Sequence, residues 1–140
     1  MKRFVSIAMV CFCMFGIVGC SLEKRHDSAE KKEIDYTVVE DADIPDELMD
    51  VINGKKSSPF KITFSDKENL FIAIGYGEQA TGGYSITVDE IYQTSDNIEV
   101  GTRFEGPEKN EEQATGITYP YIVIKVENTE KTVKFLNGGV

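Results

Sequence analysis

From residue 60 onward, apolar and polar positions alternate with the period of two that marks a half-buried strand. Phe60, Ile62 and Phe64 share one face, "SDKEN" at residues 65–69 turns the chain, and residues 70–74 form a compact apolar run. Tyr84, Ile86 and Val88 point one way, but Ile91 breaks the parity, which predicts a bulge near Asp89 and Glu90. Ile98, Val100, Thr102 and Phe104 restore the alternation, and residues 132–136 close the series. Residues 121–126 are apolar apart from Lys125, as expected of a central strand covered on both faces. Upstream, Ile34, Tyr36 and Val38 alternate as one further strand. One segment has helical spacing instead. Pro45 suits a first helical turn, Asp46 and Glu47 favour its positive end, Leu48, Met49 and Ile52 share a face, and Gly54 is placed to end it. Its apolar stripe is expected to cap one end of the core. The sum is an all-β fold with one short helix, an antiparallel β-sandwich or partly open barrel of about seven strands.

The amino-terminus has a different pattern. Lys2 and Arg3 precede an uncharged apolar run over residues 4–18, and Gly19 stands before Cys20. The quartet Ile17-Val18-Gly19-Cys20 resembles the bacterial lipoprotein signal, in which the cysteine thiol is diacylated and the chain is cut just before it. The run is short for a spanning helix. The expected organisation is a signal peptide over 1–19, a lipidated Cys20 with a charged tether over 20–33, and a β domain over 34–140. Residues 21–33, "SLEKRHDSAEKKE", offer nothing to bury. This places the domain outside the cytoplasm, anchored to the membrane by lipid.

Charge and cysteine use then remove several chemistries. The formal charge is -9, and without Lys2 and Arg3 13 basic residues face 24 acidic ones, a net -11. Such a surface repels phosphate backbones, so nucleic acid is excluded as a partner. Cys11 and Cys13 fall in the signal and Cys20 carries lipid, leaving the domain no free thiol or disulfide. The single histidine, His26, lies in the tether. Cysteine nucleophiles, thiolate-bound zinc and imidazole-based sites are therefore not expected, and no cofactor, metal or enzymatic activity is predicted. Glu108, Glu111 and Glu112 sit in a hydrophilic loop with no EF-hand spacing, and the glycine pattern lacks the lysine of a phosphate loop.

The candidate binding residues are in the loops. "GYGEQATGGYSI", residues 75–86, places glycine at 75, 77, 82 and 83 between two strands. Gly82 and Gly83 are expected to supply positive φ in a protruding turn, with Gly75 and Gly77 letting the preceding strand bend away. A tight structural hairpin accounts for the same glycines. The functional alternative is a thin loop whose bare backbone approaches another molecule. The pentapeptide "EQATG" occurs at residues 78–82 and again at 112–116. If both loops lie at one end of the sheet, Tyr84, Tyr119 and Tyr121 add aromatic surface suited to peptide or sugar, core packing being their alternative role. Tyr119-Pro120-Tyr121 flanks proline with aromatics, which favours a cis bond, and the proline marks the start of a strand. The candidate partner-binding set is Glu78, Gln79, Thr81, Gly82, Gly83, Tyr84, Thr118, Tyr119, Pro120 and Tyr121.

These segments carry a family resemblance. "GYGEQATGGYSI", "GPEK" at residues 106–109 and "TYPYIVIKV" at 118–126 resemble the protease complex subunit PrcB family, from about Tyr36 to Leu136. The resemblance implies a non-catalytic accessory subunit that associates with, and stabilises, an extracellular or cell-surface protease or another surface protein. "QATGGY", residues 79–84, is also similar to the wedge loop of chagasin-like cysteine-protease inhibitors, which are immunoglobulin-like sandwiches. Gln79-Ala80 replaces their Asn-Pro, and Arg103-Phe104 with a displaced Pro107 echoes their arginine-proline-aromatic element. Protease inhibition is the first alternative function. A cell-wall or carbohydrate-binding module using the tyrosines is the second.

Overall fold

The computed structural model describes residues 30–109 and 115–136. The expected signal peptide, Cys20, His26, the tether up to residue 29, and Glu111 and Glu112 of the acidic loop lie outside the described residues.

Ten strands and one α-helix are present among the described residues: β1 (Lys32–Glu33), β2 (Thr37–Val38), α1 (Asp46–Lys55), β3 (Pro59–Ser65), β4 (Asn69–Tyr76), β5 (Gln79–Thr81), β6 (Ser85–Gln93), β7 (Asn97–Glu105), β8 (Thr115–Thr118), β9 (Tyr121–Glu127) and β10 (Thr132–Leu136). They form two four-stranded sheets, ordered β1-β6-β7-β10 and β2-β9-β4-β3, and a separate ribbon of β5 with β8. The fold is an all-β sandwich with no closed barrel.

The longer strands follow the apolar alternation closely. β6 pairs with β7 from Ser85↔Glu105 to Gln93↔Ile98, and the register shifts between Val88 and Glu90. The bulge expected near Asp89 is thus present. Between the sheets, Leu70, Ile72, Ile74, Ile122, Ile124 and Val126 meet Ile91, Ile98 and Val100 in one buried cluster. Burying each such side chain contributes about 1.5–3 kcal/mol before the entropy of ordering the chain is charged against it.

The same two strands are apolar on their other face. Phe71, Ala73 and Val123 point away from the β6–β7 sheet and are covered by Ile44 and by Leu48 and Ile52 of α1, with Phe60 beside them. The helix therefore forms a third layer over a sheet face, whereas the sequence suggested a cap on one end of the core. Consecutive apolar residues in β4 and β9 require cover on both sides, and α1 supplies it. It runs through Gly54 to Lys55, with Pro45 at its N-cap, so Gly54 is not its terminator.

Three further departures concern edges. The alternation of Ile34, Tyr36 and Val38 does not form one strand: residues 32–38 cross from sheet to sheet, pairing Lys32 with Gln93 and then Thr37 with Lys125. Ile34 packs on the core from this strap. β10 lies parallel to β7, Val133 opposite Ile98, so the sandwich is not purely antiparallel. The chain reaches β10 after crossing from β9 in the other sheet, so no hairpin dictates its direction. The strand total exceeds seven because β1, β2, β5 and β8 are two to four residues long. At the remaining edge, Lys61 of β3 turns to the face opposite Phe60, Ile62 and Phe64 and holds Nζ 5.6 Å from the centre of the Phe135 ring. An inward-pointing charge of this kind discourages pairing with another sheet.

The strand ends define two poles. Tyr76, Ser85, Glu105 and Tyr121 end or begin strands at one, and Asn69, Gln93, Asn97 and Glu127 at the other. The stack of Tyr76 on Phe104 aligns the poles of the two sheets.

Candidate binding site at the ribbon pole

The two "EQATG" segments meet. Gln79 pairs with Thr118 and Thr81 with Thr115, antiparallel, with a register irregularity between. Thr81 and Thr115 are the equivalent fourth residues of the two pentapeptides. The Thr118 hydroxyl donates to the Thr81 carbonyl at 2.7 Å, tying loops 37 residues apart. The first three residues of the second pentapeptide, 112–114, lie outside the described residues.

The ribbon is seated on the sandwich through glycine, proline and aromatic rings. Positive φ occurs at Gly77 (80°) and Gly83 (85°) but not at Gly82, so only one of the adjacent pair meets the conformational expectation. Gly83 is doubly constrained, because a Cβ there would also stand 2.8 Å from Cβ of Pro107. Gly75 is needed for space rather than for bending: the Phe60 ring lies where its Cβ would be. Next to Gly83, the Tyr84 ring stacks on Phe104 at 5.0 Å and 10°, and Phe104 stacks on Tyr76 at 4.3 Å and 8°. The Tyr76 and Thr102 hydroxyls share a hydrogen bond of 2.6 Å. This three-ring stack joins the sheets, so Tyr84 is a packing residue.

The second half of the candidate set divides. Thr118 and Tyr119 stay with the loop, the Tyr119 hydroxyl directed at Glu78 Oε1 at 3.4 Å and Lys56 Nζ lying 5.2 Å over the ring. The Pro120 carbonyl accepts from the Tyr76 N–H at 3.0 Å, fixing the start of β9 beside the end of β4. The Tyr119-Pro120 bond is trans, against the isomer its neighbours favour. Tyr121 leaves the loop for the helical layer, where its hydroxyl donates to Asp41 Oδ1 at 2.8 Å. Burial first, and the Asp41 carboxylate second, push the Tyr121 phenol up to about 12.

The candidate set omits Tyr76, Phe104, Pro107 and Ile117, of which Phe104 and Pro107 enter the sequence reading only through strand alternation and the arginine-proline-aromatic echo. The first two had a signal, since both continue the inward parity of their strands. Ile117 is 60% exposed on the ribbon, and the neighbouring strand exposes Ala80 between half-buried Gln79 and Thr81. Arg103 and Phe104 take opposite faces of β7. Phe104 enters the stack while Arg103 pairs with Asp89 at 2.8 Å on the outer face, so of the arginine-proline-aromatic echo Phe104 and Pro107 stand beside the loop and Arg103 does not. Among the described residues no three His, Cys, Asp or Glu side chains converge as a metal site. No helix there is long and apolar enough to cross a membrane.

Residues 70–127 match the family model described as PrcB C-terminal. Over this segment the chain is similar to the PrcB C-terminal family. The match takes in β4 to β9, and hence the ribbon, the ring stack and the Gly83–Pro107 contact. The PrcB C-terminal segment leaves out α1, β3 and β10, a narrower span than residues 36–136. It fits, at a coarse level, a subunit associated with a protease complex. No curated protein matches the chain, and no solved structure does.

Proposed function

We propose that the chain is a non-catalytic, lipid-anchored subunit that holds a cell-surface protease by the ribbon pole of its sandwich. The observation that carries this reading is the pairing of Thr81 with Thr115. It fixes two otherwise separate loops into one projecting edge at low conformational cost to binding, because the edge is already ordered. The match of residues 70–127 to the PrcB C-terminal model supports the class of partner, and the Cys20 motif supports the anchor. The domain contributes recognition surface, and the protease contributes the chemistry.

A pull-down from native membranes with the full chain tests this, beside a Gly83→Ala variant whose thermal melt is measured. Recovery of an active protease, lost with the variant while it remains folded, is the expected result. Recovery of an inactive protease replaces this reading with inhibition. Recovery of no protein, with retention on purified cell wall, overturns it.

A further inference from the structure

The open sides of the two sheets are guarded unequally. β6 is bulged between Val88 and Glu90 and paired by β1 at its end, β9 is paired by β2 at its middle, and β10 is five residues long. β3 is seven residues long and pairs with β4 in one unbroken register. Among the described residues its outer side pairs with no strand. A long regular edge of this kind is a template for another strand unless a residue on it restricts the pairing.

The direction of each backbone group on β3 follows from its neighbours. The Tyr76 N–H donates to the Pro120 carbonyl at 3.0 Å, so Tyr76, and by alternation Ile74 and Ile72, face β9. Gly75, Ala73 and Phe71 therefore face β3, where they lie opposite Phe60, Ile62 and Phe64. The Asp66 N–H, bonded to the Asn69 carbonyl at 2.9 Å, continues the same row. Lys61, Thr63 and Ser65 are left with their N–H and C=O groups directed outward. Such a row of alternating donors and acceptors pairs with an extended chain.

The side chains of these three residues face the other sheet. Lys61, Thr63 and Ser65 line an open groove with Leu70, Val133 and Phe135, one wall polar and the other apolar. Lys61, Val133 and Phe135 are half-buried there. The Lys61 ammonium stands 5.6 Å from the centre of the Phe135 ring, and among the described residues the ion pairs are those of Arg103 with Asp89 and Glu105, so no carboxylate there answers it. The other charges lining the groove are Glu130 and Lys131, and Lys131 Nζ is held by Gln93 and Thr94. A cation placed against an apolar wall attracts a carboxylate and repels a second cation.

We propose that the β3 edge is a second recognition surface, separate from the ribbon pole, that takes an extended acidic segment of another protein. The segment adds to the sheet as a strand beside β3. Its carboxylate lies opposite Lys61, and an aliphatic side chain two residues away covers Val133 and Phe135. Lys61 thereby selects among strands, refusing those without a negative charge at this register. A second copy of this chain does not supply that charge, because the inward residues of its β3 and β10 edges are Lys61, Thr63, Ser65, Val133 and Phe135. On the opposite side of the sandwich the strap over residues 32–38 closes the sheets in the same manner, extended and paired, with Ile34 on the core.

The probe is the peptide Thr-Val-Thr-Glu-Thr-Val-Thr, which presents valine, glutamate and valine to one face and reads the same in either direction. A comparison peptide carries lysine in place of the glutamate. Binding to the full chain is measured by calorimetry for the native protein and for Lys61→Glu, with thermal melts of both. The native chain should prefer the glutamate peptide by at least about tenfold, and Lys61→Glu should reverse the preference. Bound glutamate peptide should slow amide exchange at Lys61, Thr63 and Ser65 and leave Phe60, Ile62 and Phe64, already bonded to β4, unchanged. The native chain's preference and its exchange pattern decide the matter even where the variant does not fold. Protection at Val133 and Phe135 instead puts the strand on the β10 edge and overturns the proposal. So does failure of the glutamate peptide to bind, or equal affinity for the two peptides. Sedimentation of the native chain as a dimer that Lys61→Glu disperses assigns the edge to a second copy and overturns it as well.

Discussion

The two poles of the sandwich are closed by different means. At the hairpin pole the β3–β4 and β6–β7 turns satisfy much of their own backbone, and the β9–β10 connection ties onto them through Asn128 to Asp66 and Glu68 and through Lys131 to Gln93 and Thr94. Asp66 Oδ1 accepts from the N–H groups of Glu68 and Asn69 at 2.8 and 2.6 Å, and Thr94 Oγ1 accepts from those of Asp96 and Asn97 at 3.3 and 3.0 Å. At the ribbon pole the partners are remote in sequence: Thr81 with Thr118, Gly83 with Pro107, Tyr84 with Phe104, Tyr76 with Pro120. Local closure makes compact turns with little to offer a partner. Remote closure fixes an extended, shaped edge, and that edge is where recognition belongs.

Substitutions can break this contrast, beginning where the backbone has least room. Gly75→Ala drives a methyl into the Phe60 ring between β3 and β4, and overpacking of this kind should cost about 2–3 kcal/mol, read as a lower denaturant midpoint. Gly83→Ala combines φ 85° with the Pro107 overlap. It should cost about 1–2 kcal/mol and, unlike Gly75→Ala, raise hydrogen exchange chiefly in β5 and β8. At the other pole, Thr94→Ala removes the hydroxyl that closes the β6–β7 turn, for about 1 kcal/mol, and should leave the ribbon's exchange unchanged.

Titration sharpens the comparison with smaller effects of opposite sign. The Asp66 carboxyl is held below its ordinary value by the backbone donors of Asn69 and Glu68. A depressed acid stabilises the fold above its unfolded pKa, so the melting advantage over Asp66→Asn should be full at neutral pH and vanish as pH falls below ~3.9. Tyr121 is the converse. Its raised phenol favours the fold below the unfolded value of 10.0, and that contribution is lost as pH rises towards about 12. The advantage over Tyr121→Phe should therefore disappear only in alkali.

The same contrast explains what the sequence disclosed. Alternation located β3, β4, β6, β7, β9 and β10, and the parity break at Ile91 located the bulge, because period-two burial is a local property of a strand facing a core. The ribbon left no such trace. β5 and β8 are three and four residues long and face mostly solvent, so their pairing is decided by where the sandwich delivers their ends. The "EQATG" repetition was visible, but the meeting of its two copies was not. For Gly83 the hairpin expectation identified the positive φ but not the Pro107 contact, which depends on a loop more than twenty residues away. The outward faces of Phe71 and Val123 were legible as apolar, while the helix that covers them follows from the topology.

The central claim is that the ribbon pole, and not the hairpin pole, holds the partner. It is tested most directly by capturing protein from native membranes with the full chain and two folded variants, Ile117→Asp on the ribbon and Asp96→Lys on the β6–β7 turn. The account predicts that a protease bound by the native chain is lost with Ile117→Asp and retained with Asp96→Lys. Retention by Ile117→Asp together with loss by Asp96→Lys would contradict it.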